Sequence, residues 1–397
     1  MKRILSLCLA LLLIFSVPLA CFAKDETKNS AENGSVSSSG QPDFGFSVRG
    51  AVLMEAETGK VIYSENEYFA ASPASVTKIM TLLLVCEALD SGCFSLDDKI
   101  MISPYAASMG GSQVFLEEGE QMTVEELIKC TVIASANDAA VALAELVAGS
   151  ESAFVGMMNK RASELGLQNT VFENTTGLDD TTTSHYSCAM DIALMSRELI
   201  RHEIILKYSS LWQDTIRDGA FTLTNTNRLV RYYEGCNGLK TGSTDKAGYC
   251  VSTTARRGDM QLIAVIMGAE SRDERNEAAR TLLDYGFANY GLYRAEESFV
   301  ENIPVIGGMK YQLAVYSAPF LSLVDRGSLS RVEAVYDIPE TLTAPLAEGE
   351  RVGQVKYMLD GEELGTADLC VKEECGRITL AEIFLRALSI IFCGKNL

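Results

Sequence analysis

The segment Ser75-Val76-Thr77-Lys78 opens an apolar run, Ile79 to Leu89, with the length and composition of a buried helix. Residues three apart on a helix share a face, so the lysine amine would lie beside the serine oxygen. A serine hydroxyl is a weak nucleophile until a base removes its proton, and a neutral lysine can be that base. The spacing therefore predicts acyl transfer through a covalent ester on Ser75.

The Ser-x-x-Lys spacing alone is weak evidence. Roughly one or two such matches are expected by chance at ordinary composition, and a second one, Ser243-Thr244-Asp245-Lys246, is present. That match continues into Ala247-Gly248 and a β-like run, whereas Ser75 follows Pro73 and precedes an apolar helix. Context therefore favours the match at Ser75.

A second motif, Ser135-Ala136-Asn137, lies between the apolar segment Thr131 to Ala134 and a predicted helix, Asp138 to Val147. A loop serine there can relay a proton, and the asparagine can bind an amide of a substrate. The alternative is a helix cap, because Ser, Asn and Asp all cap well. A similar segment, Ser64-Glu65-Asn66, precedes Ser75 and is interpreted as the end of a hairpin.

The third motif, Lys240-Thr241-Gly242, opens a strand-like stretch. Its lysine can attract a substrate carboxylate and can keep Lys78 neutral by like-charge repulsion. Gly242 would let a substrate backbone approach an edge strand closely. The alternative is a solvated lysine before a turn.

The charge of the chain excludes one class of partner. Its 397 residues carry a formal net charge of -19, whereas binding to phosphate backbones needs clustered lysines and arginines. The sequence has no such cluster, so we predict no nucleic-acid partner.

The first 23 residues have the three parts of a secretory signal peptide. Lys2 and Arg3 form the positive end, Ile4 to Leu19 the apolar part, and Cys21-Phe22-Ala23 the cleavage site. Lipidation of Cys21 is the alternative, although Pro18 stands where lipoproteins usually have an aliphatic residue.

Cleavage would leave 9 of the 11 cysteines. This odd number at scattered spacings does not suggest a disulfide framework, and there is no Cys-x-x-Cys pair for zinc. The thiols indicate a low-oxygen habitat or one or two disulfides that the spacing does not assign.

The region 46–293 has strand-like segments at both ends and mostly helical patterns between them. This order predicts an α+β fold in which an antiparallel sheet is assembled from distant segments and packs beside a helical cluster. The expected strands and the closing helix are Val48 to Met54, Val61 to Tyr63, Tyr249 to Ala255, Leu262 to Gly268 and the helix Glu277 to Tyr290.

The remaining segments have different compositions. Residues 24–45 are rich in Ser, Asn, Gly and Glu and predict a flexible linker. Residues 296–376 predict a small all-β domain, with strands at Leu313 to Tyr316, Arg331 to Tyr336 and Arg351 to Met358. Residues 378–393 predict an amphipathic helix that lies in a membrane interface, in preference to a helix packed on the β domain.

The three motifs, in this order, are those of penicillin-binding proteins and serine β-lactamases. The chain resembles a low-molecular-mass penicillin-binding protein, a serine-type D-alanyl-D-alanine carboxypeptidase, over roughly Phe44 to Tyr290. The β domain and the terminal helix fit the architecture of that family. Further matching segments are Phe172-Glu173-Asn174, Gly177-Leu178-Asp179, His185-Tyr186-Ser187, Asp191, Asn225-Thr226-Asn227, Asn237-Gly238-Leu239 and Asp245-Lys246-Ala247-Gly248-Tyr249.

The resemblance implies catalytic roles for four residues. Ser75 would be the acylated nucleophile and Lys78 its general base. Ser135 and Asn137 would complete the proton network and hold the substrate. His185 would belong to a structural loop rather than act as the base.

The resemblance also implies a substrate-binding set. Lys240, Thr241 and Arg275 would lie at the terminal carboxylate, Gly242 would let the substrate backbone approach, and the backbone amides of Ser75 and Ser243 would form an oxyanion hole. The chain departs from the family pattern at three residues, Cys188, Cys236 and Asn237.

The function implied is removal of the terminal D-alanine from peptidoglycan stem peptides ending in D-Ala-D-Ala. No metal or organic cofactor is implied, β-lactam antibiotics would be inhibitors, and the enzyme would lie on the outer face of the cytoplasmic membrane. One alternative is a β-lactamase, although the loop Gly177 to Tyr186 offers Asp179 and Asp180 but no glutamate as a deacylation base. A second alternative is a non-catalytic peptidoglycan-binding or sensor protein.

Overall fold

The structure is a computed structural model that describes residues 42–180 and 182–393. The signal peptide predicted for 1–23, with Cys21, and most of the linker predicted for 24–45 lie outside the described residues.

The larger region of the described chain combines a sheet with many helices. Its strands, numbered in chain order, are β1 (Gly50–Glu55), β2 (Val61–Glu65), β3 (Lys99–Met101), β4 (Gln121–Thr123), β5 (Gln213–Ile216), β6 (Phe221–Thr224), β7 (Cys236–Thr244), β8 (Gly248–Arg257) and β9 (Met260–Ala269). Its helices are α1 (Lys78–Asp90), α2 (Pro104–Ala107), α3 (Val124–Ile133), α4 (Asn137–Ala148), α5 (Glu151–Glu164), α6 (Ala189–Leu199), α7 (Glu203–Ser209), α8 (Leu229–Tyr232) and α9 (Arg272–Asn289).

The main sheet is antiparallel and has the strand order β2-β1-β9-β8-β7. Strands β1, β8 and β9 contain unbroken buried runs, because α9 packs against β8 and β9 while α6 packs against β9 and β1. The strands from the beginning of the region thus pair with strands near its end. This arrangement confirms the predicted α+β class, with a sheet built from distant segments.

Helix α1 lies in the core of the helical cluster. Residues Lys78 to Cys86 are buried without interruption, as expected for a helix that is apolar on every side. A 3-10 turn, Ala74–Thr77, precedes it. In such a turn side chains three residues apart are nearly eclipsed, so the turn aligns Ser75 with Lys78.

The closing helix begins earlier than its apolar pattern predicts. It was expected from Glu277, but α9 starts at Arg272, where the Ser271 hydroxyl caps it by accepting from the backbone N–H of Glu274. The polar first turn has no apolar period to reveal it. As a result, Arg275 lies in the first turns of a helix rather than in a loop.

The C-terminal region is all-β and is followed by a helix. Its strands are β10 (Tyr290–Ala295), β11 (Ser298–Ile306), β12 (Gln312–Ser317), β13 (Phe320–Asp325), β14 (Val332–Asp337), β15 (Leu342–Thr343), β16 (Arg351–Leu359) and β17 (Glu362–Val371), and the helix is α10 (Leu380–Cys393). Six strands form a sheet of order β14-β16-β17-β12-β11-β15, and β10 pairs with β13. The three strands expected here are present, whereas β10, β11, β13, β15 and β17 were not predicted. The domain boundaries drawn from the sequence stay a prediction.

Among the described residues no single helix combines the length and hydropathy of a membrane span. Only the adjacent pair α4 and α5 meets that criterion, when counted together across a bend of 81°.

Candidate active site

The Lys78 amine lies at the centre of the candidate site. Its Nζ is 3.1 Å from the Ser75 Oγ, 2.6 Å from the Asn137 Oδ1 and 2.9 Å from the Thr176 carbonyl oxygen. The side chain is fully buried. Burial holds the pKa of Lys78 well below its usual range and the charge on Lys240 lowers it further, against an opposing effect of Asp138.

These three contacts suit a neutral amine. An uncharged amine has two N–H donors and one lone pair, and the oxygens of Asn137 and Thr176 can only accept. They take both N–H groups, so the lone pair is left for the third neighbour. That neighbour is the Ser75 hydroxyl, whose proton the lone pair can accept.

A second buried lysine lies beside a second serine. The Lys240 Nζ donates to the Ser135 Oγ at 2.7 Å and to the Thr241 carbonyl oxygen at 3.0 Å. Lys240 is 1% exposed, so the alternative of a solvated lysine is wrong. Burial lowers its pKa to about 7, and the charge on Arg275 adds to this effect.

The second motif does not cap the helix that follows it. The N-cap of α4 is Ala136, and no side-chain capping bond is formed there. Ser135 instead turns toward Lys240, with a backbone φ of 62°. The Asn137 side chain bridges Lys78 and the Gly110 carbonyl oxygen, to which its Nδ2 donates at 2.7 Å.

Gly242 brings β7 against the segment that carries the serine. A Cβ at Gly242 would lie 2.7 Å from the Ser75 backbone nitrogen and 2.9 Å from the Pro73 carbonyl oxygen. The expectation was that this glycine makes room for a substrate backbone, but the group that comes close is the backbone of the Ser75 turn. Gly177 does the same from the other side, since its Cβ would overlap the Ala74 carbonyl oxygen.

The side chains meet at a cleft of about 590 Å³. Among the described residues no carboxylate lines it. Arg275, 4% exposed, closes one part of the wall. The lining residues are Ser75, Ser112, Ser135, Trp212, Thr224, Asn225, Thr226, Arg228, Tyr232, Thr241, Gly242, Ser243, Arg272 and Arg275.

The chain is similar to known proteins. A family model described as D-alanyl-D-alanine carboxypeptidase matches residues 36–271, more than half of the chain. The chain belongs to the D-alanyl-D-alanine carboxypeptidase family. A second model, described as the C-terminal domain of penicillin-binding protein 5, matches residues 287–377.

Relatives of this carboxypeptidase cover both regions. The chain is 40% identical over 381 residues to D-alanyl-D-alanine carboxypeptidase DacF of Bacillus subtilis, covering 94% of this chain and 95% of that protein. It is similar to the crystal structure of penicillin-binding protein 5 from Haemophilus influenzae, with a TM-score of 0.74 and 32% identity over 85% of this chain and 100% of that one. The structure of penicillin-binding protein D2 from Listeria monocytogenes with ampicillin bound covers 62% of this chain and all of its own, with a TM-score of 0.57 and 32% identity.

His185 is fixed by two hydrogen bonds inside the carboxypeptidase region. Its Nδ1 accepts from the Glu173 backbone N–H at 3.0 Å, so its Nε2 carries the proton and donates to the Thr77 Oγ1 at 2.7 Å. Burial lowers the pKa of His185 to about 4. Both ring nitrogens are therefore occupied, and neither is free to accept the proton of Ser75.

Asp179, the candidate deacylation base if the protein were a β-lactamase, is also held by hydrogen bonds. Its carboxylate accepts from the hydroxyls of Ser72, at 2.7 Å, and of Thr244. These bonds tie the loop after α5 to the end of β7 and to the segment before Ser75. Asp179 therefore has a structural task in this carboxypeptidase.

The three departures from the family pattern have local contacts. Cys188 is the N-cap of α6, and its sulfur accepts from the Asp191 N–H at 3.4 Å. The Asn237 amide bonds the side chains of Thr254 and Gln261. Cys236 lies 3.4 Å from the Thr253 hydroxyl. Eight cysteines of the described residues are free thiols. The structure therefore pairs none of these eight in a disulfide.

Sequence reasoning missed several residues of the site. Thr176 contributes only its backbone carbonyl, which no side-chain pattern reveals. Thr226 was named only as part of the matching segment Asn225-Thr226-Asn227, without a role, and its hydroxyl accepts from Thr241 at 2.8 Å. Arg228 and Arg272 line the cleft from two different elements. In the described part of the chain, no group of three His, Cys, Asp or Glu side chains is arranged to hold a metal ion.

Proposed function

We propose that the protein is a serine D,D-carboxypeptidase that acts through Ser75 on peptidoglycan stem peptides ending in D-Ala-D-Ala. Ser75 is the nucleophile and Lys78 its general base. Asn137 orients the amine of Lys78, and Ser135 relays a proton on the other side of the cleft.

The reaction has two steps that balance. The Ser75 Oγ bonds to the carbonyl carbon of the penultimate D-alanine, its proton passes to Lys78, and the C–N bond breaks. The leaving D-alanine takes a proton at its amine, by way of Lys78 and Ser135. Water then attacks the ester, releases the shortened peptide as a carboxylic acid and restores the hydroxyl of Ser75.

Substrate binding follows from the positive wall of the cleft. Lys240, Thr241 and Arg275 hold the terminal carboxylate, with the hydroxyl and the two cations as donors. The backbone N–H groups of Ser75 and Ser243 face the developing oxyanion. β-Lactam antibiotics enter by the same route and acylate Ser75.

One observation carries the proposal: the Lys78 Nζ lies within hydrogen-bond distance of the Ser75 Oγ and of two oxygens that can only accept, those of Asn137 and Thr176. A neutral amine that donates to these two oxygens has its lone pair left for Ser75. No comparable arrangement surrounds His185, whose two nitrogens are bonded elsewhere.

Intact-mass measurement after treatment with benzylpenicillin tests the proposal. The wild type should gain the mass of one antibiotic, Ser75→Ala should gain none, and the surface control Ser210→Ala should behave as the wild type. Release of D-alanine from a D-Ala-D-Ala peptide should follow the same order. A protein that binds the peptide but releases no D-alanine would be the sensor, and rapid penicillin turnover would make it a β-lactamase.

We further propose that α10 holds the enzyme at the outer face of the cytoplasmic membrane. The polar side of this helix faces the β region: the Arg386 guanidinium donates to the Met309 carbonyl oxygen at 2.6 Å and lies 3.9 Å from the centre of the Tyr311 ring. Phe384 and Ile391 are 64% and 72% exposed. An apolar face turned to the outside of the protein suits a lipid interface.

Sedimentation with lipid vesicles tests this location. Phe384→Asp with Ile391→Asp, or removal of the chain from Ile378 onward, should leave the enzyme in the supernatant. Ser389→Asp, which adds one negative charge on the polar side, should still sediment. Unchanged sedimentation of the truncated chain would refute the anchor.

A further inference from the structure

Three arginines lie together at one part of the cleft. Arg275 is buried, whereas Arg228 and Arg272 are exposed at the rim, and all three line the cleft. Burial, together with the charges of Arg272 and Arg228, lowers the pKa of Arg275 to about 10, which places the three arginines within electrostatic reach of one another.

No carboxylate balances this group among the described residues. Arg201, Arg280 and Arg294 elsewhere each pair with a glutamate, but the described part of the chain gives Arg228 and Arg272 no such partner. The chain has 53 acidic and 34 basic residues, so acidic side chains are abundant. Their exclusion from one cleft concentrates positive potential there.

Arg272 also stands at an unfavourable position in its helix. It is the first residue of α9, where the helix dipole favours a negative side chain. Aspartate and glutamate fill the next two positions, as expected. The helix dipole therefore does not account for the cation at this position.

The position of the three arginines relative to Ser75 indicates the ligand. In the proposed function, on which this inference rests, Arg275 with Lys240 and Thr241 holds the carboxylate of the residue that leaves. Arg228 and Arg272 lie next to Arg275 and hence on the leaving-group side of the scissile bond. A single carboxylate is already matched by Arg275 and Lys240.

We propose that Arg228 and Arg272 form a subsite for a second carboxylate on the leaving group. The enzyme then releases leaving residues with an additional negative charge, such as a dicarboxylic D-amino acid or an anionic peptide strand. The chemistry is unchanged: the Ser75 ester forms, the C–N bond breaks, and the leaving amine takes the proton. A cleft of about 590 Å³ is in the range that encloses ligands much larger than one alanine.

The test compares two leaving groups of the same shape, one with an additional negative charge and one without. Acylated peptides ending in D-Ala-D-Glu and D-Ala-D-Gln are hydrolysed side by side, and kcat/KM is measured for each. The wild type should favour D-Glu over D-Gln by about fivefold, the effect of two exposed charge pairs. Low salt should increase this ratio, because screening is weaker.

Arg228→Gln with Arg272→Gln should bring the ratio to about one. The matched control, Arg201→Gln with Arg280→Gln, removes the same charge from arginines outside the cleft and should keep the wild-type ratio. A wild-type ratio of one, no hydrolysis of the D-Glu peptide, or a ratio that survives the Arg228 and Arg272 changes would overturn the inference. If the proposed function itself were wrong, the enzyme would release no D-alanine from the D-Ala-D-Ala peptide, which distinguishes that outcome from the results above.

Discussion

His185 provides a sharp test of which residue is the base. It is 3% exposed and bonded at both ring nitrogens, by the Glu173 N–H and the Thr77 hydroxyl. Its pKa of about 4 compares with about 6.5 in an unfolded chain. Between these two values the unfolded state binds more protons than the folded state, so stability rises with pH through this window.

The size of this effect follows from the two pKa values. The stabilisation is complete above pH of about 6.5 and is lost as the pH falls toward about 4. At pH 5 the free energy of unfolding is therefore lower by about 2 kcal/mol than at pH 7. His185→Gln has no titrating group at this position, and glutamine still offers one donor and one acceptor.

Urea unfolding at pH 7 and pH 5, followed by the fluorescence of Trp212, measures the difference. Between pH 7 and pH 5, the free energy of unfolding should fall by about 2 kcal/mol less in His185→Gln than in the wild type. His202→Gln, at the other histidine, which bonds Asp90 near the surface, should keep the wild-type loss. An equal loss in His185→Gln would show that His185 is not held neutral, and complete loss of penicillin acylation in this variant would make it catalytic.

Three further changes test the site. Gly242→Ala should slow penicillin acylation about 100-fold, because the new Cβ would meet backbone atoms and move the serine turn; Gly156→Ala, whose Cβ has open space, should not, in the same stopped-flow assay. Lys240→Met removes a charge that lowers the pKa of Lys78, so the acid limb of the pH–rate profile for acylation should move to higher pH; an unmoved limb would mean that the two amines are not coupled. Asp179→Asn should leave the hydrolysis rate of the penicillin ester unchanged, and a fall in that rate would make Asp179 a deacylation base.

The sequence was sufficient where local spacing controls the structure. The alignment of Ser75 with Lys78 depends on residues three apart, and a 3-10 turn makes that alignment closer than an α-helix would. The hairpin of β8 and β9 is likewise a local structure, marked by its turn at Gly258. In both cases the interacting residues are close in the chain, so the sequence pattern predicts the observed structure.

The sequence was insufficient where the partner is distant or is backbone. The carbonyl oxygen of Thr176 has no side-chain signature, and its contact with Lys78 depends on the loop that Gly177 allows. The close approach of Gly242 to the Ser75 backbone was not predicted for the same reason, because that backbone belongs to a remote segment. The polar first turn of α9 concealed the helix that positions Arg272 and Arg275.

The two buried lysines depend on each other in a way that neither motif reveals alone. Burial disfavours the charged form of both amines. Lys78 is the amine whose neighbours Asn137 and Thr176 can accept two hydrogen bonds and leave a lone pair for Ser75. Lys240, with a pKa of about 7, stays protonated more readily once a carboxylate binds beside it. In the proposed function, substrate binding would therefore fix the charge at Lys240, and that charge would keep Lys78 unprotonated when Ser75 loses its proton.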